Sequence, residues 1–180
     1  TPLQVEMTLL TTASYTPKNT SAYHLLSFYQ SWESGRHLKF DGWIITGAPI
    51  ETMPFEDVKY WDELTQILDW SQTHVQETLN ICWCGQASLY HFHKVPKDNL
   101  TEKIFGVFPH RIETPNTTYL RGFTHSFPLP VSRHSEHRPA ESEAVPAAEI
   151  SRDRTTPQYD LIDTSRTPRS TDTTRRRYKS

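Results

Sequence analysis

The chain reads as an α/β protein built on a doubly wound, mostly parallel sheet. Three observations predict this. Short apolar runs alternate with amphipathic helical stretches. One of the runs, Phe40-Asp-Gly-Trp-Ile-Ile-Thr46, is almost continuously apolar, as suits a parallel strand covered on both faces. Another apolar run, Thr78-Leu-Asn-Ile-Cys82, passes at once into the small-residue stretch Trp83-Cys84-Gly-Gln-Ala-Ser, which reads as the start of a helix. Such an architecture puts its site at the carboxyl ends of the strands.

Each element has its own signal. Leu3, Val5, Met7 and Leu9 alternate with the period of a half-buried strand over Pro2 to Leu10. Ser21 to Trp32 carries apolar residues at helical spacing, with Tyr23, Leu26 and Tyr29 on one stripe and Thr20 or Ser21 as N-cap. The Phe40–Thr46 run is bounded by Gly47 and Pro49. A second helix, about Glu56 to His74, places Val58, Trp61, Leu64 and Leu68 on one face and Lys59, Asp62, Glu63 and Gln66 on the other. Leu79 to Cys82 is the next strand.

Composition limits both partners and extent. All five Trp and all eight Phe precede Pro128, so residues 1–133 are expected to form the folded domain. Residues 134–180 are rich in Ser, Thr, Pro and Arg, with Tyr159 and Tyr178 the only aromatics, and are expected to be a disordered or frame-shifted tail. A net charge of -2 gives no reason to expect nucleic acid or an anionic membrane as partner. No apolar run approaches the roughly twenty residues that span a bilayer. Two cysteines one residue apart make no disulfide framework, and no signal peptide is visible, so a cytoplasmic location is expected. A first residue other than Met suggests that the amino terminus is incomplete.

The chemistry legible in the residues centres on Cys82. A thiol at a strand-to-helix turn lies at the positive end of a helix dipole, which favours thiolate and presents it at a sheet edge. The loop Thr46-Gly-Ala-Pro-Ile-Glu51 should lie beside it, and the Trp83 amide is the expected oxyanion donor. The plain alternative is an inert buried thiol, common for free cysteine. Zinc held by Cys82, Cys84, His91 and His93 is a second alternative, but Cys-x-Cys points its thiols apart and structural zinc sites usually use Cys-x-x-Cys. No metal is therefore expected.

A resemblance sharpens these readings. Phe40-Asp-Gly-Trp-Ile-Ile-Thr-Gly-Ala-Pro49, Tyr60-Trp61, Asp69-Trp70-Ser71, Thr73-His74-Val75, Ile81-Cys82-Trp83, Gln86-Ala87, Val95-Pro96-Lys97, Glu102-Lys103, Gly106-Val107-Phe108 and Leu120-Arg-Gly-Phe123 together resemble the homoserine O-acyltransferases, from about residue 2 to about residue 133. The resemblance implies a flavodoxin-like fold related to class I glutamine amidotransferases, and a cysteine at its nucleophile elbow. It implies that Cys82 carries an acyl thioester and that Trp83 donates its backbone amide to the oxyanion. Lys103 then binds substrate, Ser132 binds substrate and influences its choice, and Glu51 selects acetyl over succinyl donors. The physical logic for Glu51 is that a carboxylate fills the acyl pocket and repels the second carboxylate of a succinyl group.

The implied activity is ping-pong transfer of acetyl from acetyl-CoA, a co-substrate with no bound cofactor, to L-homoserine for methionine synthesis. L-serine, feeding cysteine synthesis, is the alternative acceptor: one methylene is worth only about 1–3 kcal/mol. A homodimer is also implied. The family's His/Glu base segment is not found after Ser132-Arg133. By uninterrupted counting its positions fall near Arg175 and Arg177, and a guanidinium stays protonated. A fragment that acylates Cys82 without turning over is thus a second hypothesis, and a zinc or interaction module on Cys82 and Cys84 a third.

Overall fold

The computed structural model describes residues 4–111, 122–137 and 162–163. It is a mixed α/β structure whose described strands fall into three small sheets rather than one. Strand β1 (Leu10–Thr11) pairs in parallel with β2 (Gln30–Ser31). Strand β3 (Phe40–Ile45) pairs in parallel with β4 (Val75–Asn80), in the register Trp43 opposite Thr78 and Ile45 opposite Asn80. Strands β5 (Asp98–Arg111) and β6 (Ser126–Glu136) form a long antiparallel hairpin with an irregularity between Asn99 and Ile104. A short β7 (Ile162–Asp163) runs antiparallel to β4. The helices are α1 (Ala22–Phe28), α2 (Trp32–Gly35), α3 (Trp61–His74) and α4 (Trp83–His93), with a 3-10 turn at Phe55–Asp57 before α3. Among the described residues no helix is long and apolar enough to cross a membrane.

The amino-terminal strand departs from expectation. Pro2 and Leu3 lie outside the described residues, and Val5 is 80% exposed. Only Leu10–Thr11 is extended in a ladder, because its neighbour β2 is itself two residues long. The helix expected over Ser21–Trp32 divides. Ser21 caps α1, its Oγ accepting from the His24 amide at 3.2 Å, but Tyr29 turns extended and Gln30 N donates to Leu9 O at 2.9 Å. Sheet pairing with the amino-terminal segment thus replaces the last helical turn, and the expected stripe of Tyr23 and Leu26 faces solvent.

Strand β3 matches the apolar run but is covered on one face only. Among the described strands it lies at a sheet edge; Ile44 is 66% exposed on one face while Ile45 packs on the core from the other. The second helix begins later than its periodicity suggests, since the Phe55–Asp57 turn and Val58 lead into Trp61. Leu64, Ile67, Leu68 and Ser71 are its buried face. The main core joins Phe55, Val58, Leu64 and Leu68 to Trp83, Cys84 and Ala87 of α4. Each large apolar side chain buried there contributes about 1.5–3 kcal/mol, so this packing holds the first turn of α4 through Trp83 and Cys84.

The expected domain end at Arg133 falls inside β6, which continues to Glu136. His137 is buried, its Nδ1 donating to Pro96 O at 2.8 Å. The rest of the expected tail lies outside the described residues except for Ile162–Asp163.

Candidate active site

Strand β4 ends at Asn80, two residues earlier than the apolar run suggests, and Ile81 crosses to the neighbouring strand by donating its amide to Ile45 O at 2.9 Å. The next residue is Cys82, with φ 61° and ψ -131°. A side chain in this left-handed region costs about 1–3 kcal/mol and persists only where the surroundings impose it. Here the imposition is visible. Cys82 is the N-cap of α4, its carbonyl accepting from Gly85 N at 3.0 Å and Gln86 N at 3.4 Å, while the Trp83 ring after it is buried against Phe55 and Tyr60. The buried ring holds one side of the turn and the parallel ladder holds the other. The thiol between them is exposed.

The glycine-containing loop lies against this elbow. A Cβ on Gly47 would lie 2.7 Å from Trp83 N and 3.1 Å from Cys82 Cβ, so glycine lets the loop backbone reach the first amide of α4. That amide, at the first helical position, has no acceptor within its own helix. An exposed thiol, the adjoining first amide of a helix and a second backbone segment in contact form the kind of arrangement that can receive a thioester carbonyl.

The neighbouring cysteine has another role. Cys84 is buried, its Sγ donating to Asn80 Oδ1 at 3.7 Å, and burial together with the nearby Cys82 pushes its thiol up to about 12. The two thiols therefore occupy different surroundings. His91 bonds to Asp69 at 2.7 Å, and burial lowers the pKa of His93. Among the described residues no three His, Cys, Asp or Glu side chains gather closely enough to hold a metal ion.

Glu51 sits half-buried on the loop that starts at Gly47. Lys97 reaches across to the same loop, donating to Glu51 O and, at 2.8 Å, to Met53 O. Lys103 and Ser132 belong to the hairpin. Ser132 stands opposite Phe105 in the ladder, and the Lys103 ammonium lies 5.6 Å from the Phe105 ring centroid, so both residues share one exposed face. The elbow with its loop forms one group and the Lys103–Ser132 face another. Side chains tie the hairpin to the elbow helix: Ser135 Oγ donates to Gln86 Oε1 at 2.9 Å. Lys97 and Gly47 are the residues whose parts the spacing did not reveal. Gly47 was legible as part of the loop expected beside Cys82, though not its contact with the Trp83 amide, while for Lys97 the stretch that carries the resemblance was the only signal.

A family model for homoserine O-succinyltransferase matches residues 1–170. The chain belongs to this homoserine acyltransferase family. Among curated relatives, the homoserine O-acetyltransferase of Allorhizobium ampelinum is 58% identical over 149 residues, which is 83% of this chain and 48% of the relative. That of Hyphomonas neptunium is 58% identical over 140 residues, covering 78% of this chain and 46% of the relative. That of Cereibacter sphaeroides is 51% identical over 146 residues, covering 81% and 48%. The chain thus spans about half the length of the acyltransferases it matches.

Proposed function

We propose that this chain carries the acyl-accepting half of a homoserine O-acetyltransferase, with Cys82 as the nucleophile. The single observation that carries the reading is the strained, exposed Cys82 at the strand-to-helix turn, with Gly47 against the Trp83 amide. The Cys82 thiolate attacks the thioester carbonyl of acetyl-CoA, and the Trp83 amide receives the oxyanion. Collapse expels the CoA thiolate, which takes up the proton lost by the Cys82 thiol. The acetyl group then passes from sulfur to the hydroxyl of L-homoserine, giving O-acetylhomoserine and a free thiol. Glu51 disfavours donors with a second carboxylate, and Lys103 with Ser132 orient the amino-acid acceptor.

Support for acetyl comes from the relatives named as acetyltransferases and from glutamate at position 51. The wider reading is a flavodoxin-like sheet completed by the remainder of a full-length homodimeric protein, serving methionine synthesis in the cytoplasm. The test is intact-mass spectrometry after incubation with acetyl-CoA, with released CoA measured beside it. One acetyl per chain, on Cys82 and lost in Cys82→Ala, is expected. A folded sample that gains no acetyl overturns the assignment. Addition of L-homoserine or L-serine then reads out turnover and acceptor: release dependent on neither amino acid identifies a chain that acylates but does not transfer.

A further inference from the structure

Lys97 is a partly buried cation that the proposed chemistry leaves unused. It lies just before β5, yet it reaches the loop after β3. Its ammonium donates to Glu51 O and Met53 O and sits 5.1 Å from the centroid of the Phe55 ring. Asn99 Nδ2, two residues on, donates to Thr52 O at 3.3 Å. Three successive carbonyls, those of residues 51 to 53, are therefore tied to the start of the hairpin.

An ammonium has three protons and one charge. Two protons are committed to the loop carbonyls. The charge is only partly compensated by carbonyl dipoles: burial pushes Lys97 down from the ordinary lysine range, and the Glu51 carboxylate pulls it back up. The Glu51 carboxylate, on the residue whose backbone oxygen Lys97 holds, therefore acts on the charge of a lysine that has given up part of its water. Loss of that carboxylate leaves a partly desolvated cation without a nearby carboxylate, a situation that favours uptake of another anion.

We propose that Lys97 is a specificity-determining residue for the acyl donor: it fixes the Glu51 loop, its charge is answered by Glu51 when the donor is acetyl, and it becomes the receptor for the terminal carboxylate of a dicarboxylic acyl group when Glu51 is replaced by a neutral residue. The proposal rests on the reading of Glu51 as donor selector. It adds an attractive element to the repulsive one, so that discrimination depends on a pair of residues rather than one. A neutral acetyl group needs no countercharge and is indifferent to the lysine beyond its hold on the loop.

The experiment compares four chains: wild type, Glu51→Gly, and Glu51→Gly with either Lys97→Met or Lys97→Arg. Thioester formation on Cys82 is timed by intact mass with acetyl-CoA and with succinyl-CoA. Unfolding midpoints are measured beside it with added succinate or acetate, a readout that needs no thioester. Glu51→Gly should gain succinyl labelling and be stabilised by succinate. Adding Lys97→Met should slow that labelling about tenfold, the low end of what losing one hydrogen bond to a charged group costs, while acetyl labelling, touched only through the looser loop, slows less. Adding Lys97→Arg should keep the gain. Equal succinyl labelling and equal succinate stabilisation with and without Lys97 overturn the proposal. Absence of any label on Cys82, with succinate stabilisation still dependent on Lys97, overturns the thioester reading and leaves the carboxylate site standing.

Discussion

Two cysteines separated by one residue have opposite fates, decided by which way the first turn of α4 points them. Cys82 is exposed at a positive φ, and Cys84 is sealed against Asn80. Brief treatment of the native chain with iodoacetamide at about pH 8 should label Cys82 alone, read by peptide mass mapping; label on Cys84 before unfolding would contradict its placement. Cys84 also makes stability depend on pH. Its folded thiol is raised from 9.0 to about 12, so between those values the folded state holds a proton that the unfolded state releases. The contribution is fully present below about pH 9 and is lost as pH rises towards about 12. The fall in urea midpoint from pH 8 to pH 10 should be smaller in Cys84→Ala than in wild type, which controls for other groups that titrate there.

At the scale of elements, the elbow is where sequence and structure agree most closely, because three local constraints converge on it. An apolar parallel strand ends, a helix of small residues begins, and Gly47 removes the side chain that would separate them. Gly47→Ala puts a methyl against the Trp83 amide, within 2.7 Å of backbone that has no flexible end to move. Overpacking of this kind costs about 1–3 kcal/mol. It should lower the urea midpoint accordingly and slow acetylation of Cys82; unchanged stability and labelling would mean that the loop does not rest on the elbow. Elements with weaker partners were harder to read. Tyr23 and Leu26 have helical spacing, yet a hydrogen bond from Gln30 to Leu9 ends the helix early and leaves both residues in solvent. Periodicity records which face could be buried, not whether another element arrives to bury it. Lys97 was illegible for a related reason, since its bonds to Glu51 and Met53 span more than forty residues.

For the whole molecule, legibility ended where long-range pairing begins. The α/β class followed from alternating runs, but the division into three small sheets depends on which strands find neighbours, and spacing carries no such information. The same holds for the amino-terminal segment, which is bound to the body by side chains instead of a long ladder. Ala13 N donates to Glu63 Oε1 at 2.7 Å, Ser14 N donates to Glu63 Oε2 at 2.8 Å, and the Ser14 hydroxyl donates to the same carboxylate. Tyr15 then packs on Tyr60 with ring centroids 5.6 Å apart, and Tyr60 meets the Trp83 ring, so this segment reaches the residue that follows Cys82. Burial would raise the Glu63 pKa, but the hydrogen bonds from Ser14 and Ala13 outweigh it and hold the carboxyl below 4.5. Attachment is therefore complete above about pH 4.5 and weakens as pH falls through the lowered value. Glu63→Gln should reproduce the low-pH state at neutral pH, because a neutral amide has one acceptor oxygen where the carboxylate offers two to three donors. Limited proteolysis should then cut within residues 12–20 several-fold faster than in wild type, with the α3–α4 core still protected. Equal cleavage rates would show that Tyr15 and Leu10 hold the segment without the carboxylate. Faster cleavage together with slower acetylation of Cys82 would show that the segment's path through Tyr15, Tyr60 and Trp83 helps to hold the elbow in its strained form.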